Sequence, residues 1–590
     1  MQEGRCSVAD TDLSIRIAGE AGQGVESSGA GFALALARGG LHIFAEFDYH
    51  SRIRGGFNYA QIRISEHPLY SHSEPFHLLL ALNEDTLRRY GPQTLPGGAV
   101  LYDEALQLQP NALPQGGFRL FPVPLTQIAR EVGGSELMAN TAALAAAAAV
   151  IGFELQPMER VIEQNFRRKG EAVVEGNRRV ARATYEWTRE RYAAAFPWKV
   201  TVRPAQRRMV LNGNEAFALG ALLGGCRFVA GYPMTPGSPV LEWLAERAAR
   251  YGLAVMQVED EIAAACAAIG AGHAGARALV PTSGGGFSLM VEALGLAGMT
   301  ETPVVFYEAQ RPGPSTGMAT RTEQGDLLFV LHASQGEFPR IVLAPGTIEQ
   351  AFEAGWRAFN LAERYQCPVI VLSDHYLATS LRDVSPEELG LQAVTVDRGE
   401  WLDDVQLEAL PEPYRRYRLT PNGVSPRAVP GHPQAVYSAT SDEHDEFGHI
   451  EEDAVNRARM HQKRMRKLET ACREMRPPTV YGTADAPLTL VGWGSAYGPL
   501  RETVDRLLAR GRPANMLHFV DLWPMPVEAV SFLLARMGQL VAVESNYRGQ
   551  LADLIRMSTG WEVSRRLLKY DGRPLSPDWI LERLEMAAEG

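Results

Sequence analysis

Short β-rich apolar runs alternate with stretches of helical length along most of the chain, and the interruptions of that pattern divide it. From residue 13 to residue 192 the runs are LSIRIAG, LHIFAEF, YAQIRIS, FHLLLAL, AVLYDEA and FRLFPVP, which predicts an α/β layer domain. A charged helical piece leads into a second series. It opens with the helix GNEAFALGALLGG and continues through RFVAGYP, AVMQVED, ALVPTSGGG, TPVVFYEAQ, RIVLAPG and CPVIVLSDHYL, each separated by a helix-length segment. After residue 378 the pattern breaks. Residues 386–478 are rich in Pro, Gly, Tyr and charge and end in the basic helical run NRARMHQKRMRKLETACREM; they predict a surface crossover. A third α/β unit, with LTLVGWGSAYGPLRETVDRLLARG, ANMLHF and LVAVESNYRGQLADLIR, closes the chain. The most apolar run, TAALAAAAAVIGF, is shorter than the roughly 20 residues that span a bilayer and predicts a buried helix.

Composition narrows the classes. At 590 residues the chain is too long for one core, and at about 150 residues per domain it predicts three or four. Hydrophobic content of 46% and charged content of 22% suit a soluble globular protein, and a net charge of −11 argues against nucleic acid as the main ligand. The N-terminus lacks the apolar core of a signal peptide, so a cytoplasmic protein without membrane contact is expected. Five cysteines, at positions 6, 226, 266, 367 and 472, form no CxxC pair, so neither a disulfide framework nor a metal or iron–sulfur site is expected on this chain.

Candidate chemistry gathers in the loops that follow strands. In EAGQGVESSGAGFALALARGG, Gly19, Gly22 and Gly24 lie between a strand and an apolar helix, where glycine lets the backbone approach a phosphate. Close strand–helix packing uses the same residues, so the turn alone decides nothing. DYHSRIRGG puts Arg52 and Arg54 beside two glycines, suited to an anion or simply solvated. In GYPMTPGSPVLEWL a rigid loop leads to a helix with Ser238 as expected N-cap and Pro239 at the first position, presenting N–H groups near the Thr235 hydroxyl.

EDEIAAACAAIGAGHAGARALVPTSGGG opens a helix with Glu259, Asp260 and Glu261. Acids in a first turn are favoured by the helix dipole whatever their function. The helix behind them, however, is Ala, Gly, Cys and Ile, which predicts close packing on all sides, for example at a subunit contact. A carboxyl group led into such surroundings can serve to hold or give a proton. Next, PTSGGGFSLM opens a helix with Ser283 and three glycines, an anion-tolerant end. QRPGPSTGMATRTEQGDL then carries Arg311, Ser315, Thr316, Thr320 and Arg321 where Pro and Gly forbid regular structure; an arginine with neighbouring hydroxyls can bind a carboxylate. All three loops are expected at the carboxyl ends of strands, where open α/β sheets place ligands.

In this order and combination the segments resemble the 2-oxoacid:ferredoxin oxidoreductases, specifically the α subunit that carries a γ domain fused ahead of it. The likeness rests on GNEAFALGAL, GYPMTPGSP, EDEIAAACAAIGAGHAGARALVPTSGGGFSLM, RPGPSTGMATRTEQGDL, CPVIVLSDHYL, GVSPRAVPG, GWGSAYGPLRE and VESNYRGQL, which span nearly the whole chain. It implies three α/β domains: a γ domain at 1–192, a pyrimidine-type thiamine diphosphate domain at 200–385 and, after the crossover at 386–478, a transketolase-C-terminal-like domain at 479–590. It also implies that Glu261 contacts the aminopyrimidine ring of thiamine diphosphate and promotes its imino tautomer. Thr235, in a YPMTP motif where Met234 replaces the family's isoleucine, would bind the 2-oxoacid together with Arg311 and Thr320. Tyr232, Pro233, Ser283 and Gly284 would help hold the cofactor, and coenzyme A, the acyl acceptor, is looked for at Gly22, Gly24 and Arg52.

The chain lacks a Gly-Asp-Gly segment followed by the Asn ligands that hold magnesium and diphosphate in thiamine enzymes, and it lacks a cysteine set for a cluster. The resemblance therefore implies an obligate β subunit that carries both, an α2β2 assembly, and ferredoxin as electron acceptor. 2-Oxoglutarate is the expected substrate, converted with coenzyme A to succinyl-CoA, and pyruvate or another 2-oxoacid is the alternative. A non-catalytic CoA-binding or assembly subunit, or a transketolase-like enzyme without electron transfer, would be readings of other classes.

Overall fold

The computed structural model describes residues 12–50, 55–106, 116–203 and 207–586. The chain divides into two compact units, Met1–Leu211 with Ser380–Pro386, and Asn212–Thr379 with Glu387–Gly590.

The first unit is built on an eight-stranded sheet in the order Arg119–Val123, Thr94–Asp103, Phe76–Ala81, Asp12–Ala21, Gly55–Ser65, His42–Asp48, Leu381–Val384, Met209–Leu211. Strand Asp12–Ala21 alternates, sending Leu13, Ile15 and Ile17 into the main core of the unit. Its other face carries Arg16, whose guanidinium lies 4.2 Å from the ring centroids of both Tyr59 and Phe76, so aromatic faces stabilise a buried cation. The alanine-rich run forms the helix Ala139–Ile151, buried at nearly every position from Thr141 onward. Two strands of this sheet come from the segment 200–385. Asp383 holds one of them in place by accepting from the Ile43 N–H at 2.7 Å and bonding His42 Nδ1 at 2.9 Å.

The second unit contains two sheets. The larger has the order Asp521–Trp523, Ile341–Leu343, Pro368–Asp374, Val304–Gln310, Ala278–Thr282, Phe228–Gly231, Ala254–Gln257, with all neighbours parallel except the first pair. VVFYEAQ and PVIVLSD are buried at every residue, as strands covered on both faces require. The smaller sheet has the order Thr479–Gly482, Ala514–Phe519, Leu488–Trp493, Gln539–Glu544, Arg565–Leu568. Asp521, in the strand that crosses to the larger sheet, accepts two buried bonds from Arg357, both 2.6 Å.

The expectation of a surface crossover is corrected. Tyr417 is fully buried, Arg416 and Arg427 are nearly so, and the helix Ala454–Cys472 turns Lys463 and Lys467 inward. The reason is a charge on another element. The carboxylate of Glu301, itself fully buried, accepts from Lys463 Nζ at 2.6 and 2.8 Å and pairs with Lys467, while Arg416 donates to the Glu301 carbonyl at 2.7 Å. Among the described residues, no helix is long and apolar enough to cross a membrane.

Candidate functional site

Because the strands Phe228–Gly231, Ala278–Thr282 and Val304–Gln310 are parallel neighbours, the loops leaving their carboxyl ends share one edge of the sheet. These loops meet at glycines. A methyl group built on Gly285 would lie 3.8 Å from Met234 Sδ and 3.9 Å from the Ser315 carbonyl, so all three loops touch there. One on Gly237 would collide with the Thr282 carbonyl. Arg311, immediately beyond the third strand, donates from Nη1 to the Thr235 carbonyl at 2.6 Å, and partial burial lowers its pKa from the ordinary arginine value.

Glu261 heads the helix Glu261–His273. The Asp260 side chain caps that helix by accepting from the Ala263 N–H at 2.8 Å, which leaves Glu261 uninvolved in capping. Glu261 is 4% exposed, and its Oε1 has no hydrogen-bond partner. A methyl group on Gly286 would lie 2.8 Å from that oxygen, so the space beside it exists because residue 286 lacks a side chain. The Ser283 hydroxyl is likewise fully buried without a partner; Ser283 precedes the helix Gly284–Leu289 but makes no capping bond. Buried polar atoms without partners are costly, and two of them at one junction of loops mark hydrogen-bonding capacity kept for something else.

The structure brings Thr235, Arg311 and the Ser283–Gly286 turn together with Glu261. Thr320 lies half-buried on the Arg311 loop, its carbonyl accepting from Arg321 at 3.1 Å, and its hydroxyl is not bonded to Thr235 or Arg311. Tyr232 and Pro233 are exposed at the start of their loop. One expectation is corrected. The helix after YPMTP is Ser238–Ala245 with Gly237 at its N-cap, so Ser238 lies inside it and Pro239 is its second residue. The N–H groups of Gly237 and Ser238 both bond the Met234 carbonyl, at 2.9 and 3.0 Å, so the turn closes on its own backbone instead of offering those donors to an anion. The small-residue helix is covered within this chain on part of its surface, which leaves the expected subunit contact the remaining face. Ala264, Ala265, Ala268 and Gly272 are buried, whereas Ile262, Cys266 and Gly270, spaced at i, i+4, i+8, form an open face with no neighbouring element among the described residues upon it.

In the first unit, Gly22 and Gly24 both have left-handed backbone, φ 91° and 71°, and border a cleft of about 620 Å³. Its described walls include the carboxylates of Glu20, Glu26 and Asp48; Arg52 and Arg54 lie outside the described residues.

Sequence reasoning passed over Glu308 and Asp326, although Glu308 left a signal as the one charged residue in an otherwise uncharged buried strand. It also passed over the tethers that hold the Arg311 loop. Gln324 Nε2 donates to the Trp493 carbonyl at 2.9 Å and Asn546 Nδ2 to the Gln324 carbonyl at 3.2 Å, partners 169 and 222 residues away that no local pattern reveals. Among the described residues, no cluster of His, Cys, Asp and Glu could hold a metal ion.

Comparison with known proteins agrees with this architecture. Residues 219–464 match the family model "Pyruvate flavodoxin/ferredoxin oxidoreductase, thiamine diP-bdg", and residues 14–187 match "Pyruvate ferredoxin/flavodoxin oxidoreductase". A 2-oxoacid:ferredoxin oxidoreductase subunit alpha from Sulfolobus sp is 32% identical over 97% of this chain and 96% of its own length. The 2-oxoglutarate oxidoreductase subunit KorA of Mycobacterium tuberculosis is 30% identical over 92% of this chain and 87% of its own. Among solved structures, 2-oxoglutarate:ferredoxin oxidoreductase from Magnetococcus marinus, with 2-oxoglutarate, coenzyme A and succinyl-CoA bound, superimposes with a TM-score of 0.90 at 33% identity, covering 98% of this chain and 99% of that one. With relatives of 30% identity or more matched through nearly their whole length, and with a thiamine-diphosphate-binding family model lying over the loops described above, this chain belongs to the 2-oxoacid:ferredoxin oxidoreductases, as an alpha subunit of that oxidoreductase family.

Proposed function

We propose that this subunit serves a cytoplasmic α2β2 enzyme that oxidatively decarboxylates 2-oxoglutarate to succinyl-CoA and passes the electrons to ferredoxin. The observation that carries this reading is the full-length likeness, at a TM-score of 0.90, to an enzyme solved with 2-oxoglutarate, coenzyme A and succinyl-CoA bound. The proposed β subunit supplies magnesium and the iron–sulfur cluster. The open Ile262–Cys266–Gly270 face is the proposed contact for it.

The residues present fit thiamine diphosphate on two observations, the partnerless Glu261 Oε1 and the space that Gly286 leaves beside it. When bound, that cofactor supplies the electron sink that decarboxylation of a 2-oxoacid needs. Glu261 holds and moves a proton at Oε1, screened from water by its burial. Arg311, braced on the Thr235 carbonyl, presents its remaining N–H groups to the substrate carboxylate, with the Thr235 and Thr320 hydroxyls as further partners. The Ser283 hydroxyl and the Gly284 backbone, with Tyr232 and Pro233 at the rim, hold the cofactor. Gly22, Gly24 and Arg52 are the proposed coenzyme A contacts.

Viologen reduction by the chain alone and by the co-expressed α–β pair, with thiamine diphosphate, magnesium, coenzyme A and a panel of 2-oxoacids, tests the reading. Activity is expected only from the pair and highest with 2-oxoglutarate. A stronger response to pyruvate or another acid overturns the substrate, and none with any acid leaves a non-catalytic CoA-binding or assembly subunit. In the same assay Arg311→Lys is expected to raise KM for the 2-oxoacid on the order of 10- to 100-fold with a smaller change in kcat, because an ammonium lacks the planar fork that bonds Thr235 and a carboxylate together. An unchanged KM would remove Arg311 from the substrate site.

A further inference from the structure

Beside the loops already described, two acids meet with no cation between them. Glu308 is fully buried on strand Val304–Gln310, and neither of its carboxyl oxygens has a hydrogen-bond donor. Asp326 ends the loop that begins at Arg311. It stands at the N-cap of helix Leu327–His332, but its side chain makes no capping bond. The two carboxyl groups converge on Gly284, where an added methyl would collide with Asp326 Oδ2 and lie 3.2 Å from Glu308 Oε1. No lysine or arginine among the described residues forms an ion pair with either acid.

Among the described residues, nothing around the pair offers a compensating charge. On the loop, Glu323 adds negative charge; its own pKa is pushed up to about 7 by burial and by Asp326. From the helix Glu261–His273, Glu261 faces the far end of the same turn at Gly286. At the end of the adjacent strand, Asp374 is occupied by the Ser495 and Thr322 hydroxyls and the Leu377 N–H. Arg311, three residues beyond Glu308, directs Nη1 to the Thr235 carbonyl. The groups arriving from the C-terminal part, Asn546 and Gln550, are neutral and bond the Gln324 and Gly325 carbonyls.

Two carboxylates so placed have only acceptor oxygens to show each other, and one proton turns that repulsion into a hydrogen bond. We propose that Glu308 and Asp326 share a single proton at neutral pH and so form a positioning pair that fastens the return of the Arg311–Asp326 loop to the end of the sheet, keeping Arg311 and Thr320 set for the substrate. Gln310 makes the parallel backbone connection, its Oε1 accepting from the Asp326 N–H at 3.0 Å. Burial first, and then the neighbouring Asp326, hold Glu308 protonated well above the usual carboxylate range, and burial raises Asp326 in the same direction. The sign follows from a raised folded-state value. The fastening is present below the pair's pKa and is lost as pH rises through it, when two buried anions must separate. Only what the loop binds rests on the proposed function; the shared proton does not.

Isotope-edited infrared spectroscopy of the α–β complex, with labelled glutamate and aspartate, reads the proton directly. A protonated carboxyl band is expected at neutral pH, disappearing on alkaline titration and absent from Glu308→Gln. That variant replaces the protonated member with an amide that donates to Asp326, so it is expected to keep the neutral-pH KM for the 2-oxoacid while losing the alkaline rise in KM. Glu308→Leu, which cannot make the bond, is expected to raise KM on the order of tenfold at neutral pH with little change in kcat. A wild-type complex with no such band, a Glu308→Gln complex whose alkaline rise is unmoved, or a Glu308→Leu complex with an unchanged KM overturns the proposal. If Glu308→Gln does not assemble, the spectrum of Asp326→Asn subtracted from the wild type separates the band of the pair from that of Glu323, whichever 2-oxoacid the enzyme uses.

Discussion

Glu261→Gln in the α–β complex is expected to lower turnover by roughly 10²–10⁴-fold, the range over which a positioned proton-transfer group contributes. The substitution keeps the shape of the side chain and removes only its capacity to hold and release a proton. The fold does not need that capacity, because the helix is capped by Asp260 and Glu261 Oε1 has no partner to lose. The melting midpoint is therefore expected to stay level, since no bond made by Oε1 is lost and the amide keeps a polar group of the same size in the same place. Turnover from single-substrate kinetics and the midpoint from thermal denaturation check the two halves. Retained turnover would make Glu261 an ordinary first-turn acid, and a collapsed midpoint would assign it a structural role.

The largest effect on stability is expected from Glu301→Gln. Burial alone would raise the Glu301 carboxyl pKa, but Lys463, Lys467 and Arg416 hold it far below the usual carboxylate range, while burial brings the Lys463 ammonium down to about 7. Removing the carboxylate leaves three buried cations without their counter-charge, a loss of about 3–5 kcal/mol. For a folding unit of this size the corresponding fall in midpoint is about 5 °C. Since those cations belong to the 386–478 segment, limited proteolysis of the variant is expected to cut there first. Replacing Glu301, Lys463, Lys467 and Arg416 together with apolar residues of similar volume is expected to recover most of the loss, because desolvation of the ions then disappears along with their attraction. A Glu301→Gln protein with an unchanged midpoint would mean that the cluster adds no net stability.

Sequence reading reached a candidate residue where the chemistry declares itself within a few positions. Asp260 and Glu261 stand directly ahead of a helix of small residues, and Arg311 opens a loop too rich in Pro and Gly to be anything but a loop. Even there the detail depended on the fold. Ser238 reads as a cap, yet it lies inside its helix because the preceding turn closes on the Met234 carbonyl. The small-residue helix reads as packed on all sides, for example at a subunit contact, and the described residues of this chain cover only part of it.

What the sequence by itself determined is therefore local: the lengths of the strands, their burial on one face or both, the capped starts of helices, and the loops in which Thr235, Ser283 and Arg311 stand. Each depends on side-chain alternation or on a hydrogen bond reaching three or four residues, and such a signal survives in a linear pattern. Only the tertiary structure decided that Asp383 seats a strand beside one 340 residues earlier in the chain, that Lys463 turns inward to Glu301 across 162 residues, and that Glu308 and Asp326 close on one glycine. The same acids and bases would be solvated in an extended chain. Their pairing has energy only after the core has excluded water and brought them within reach, and nothing in the order of residues records that distance.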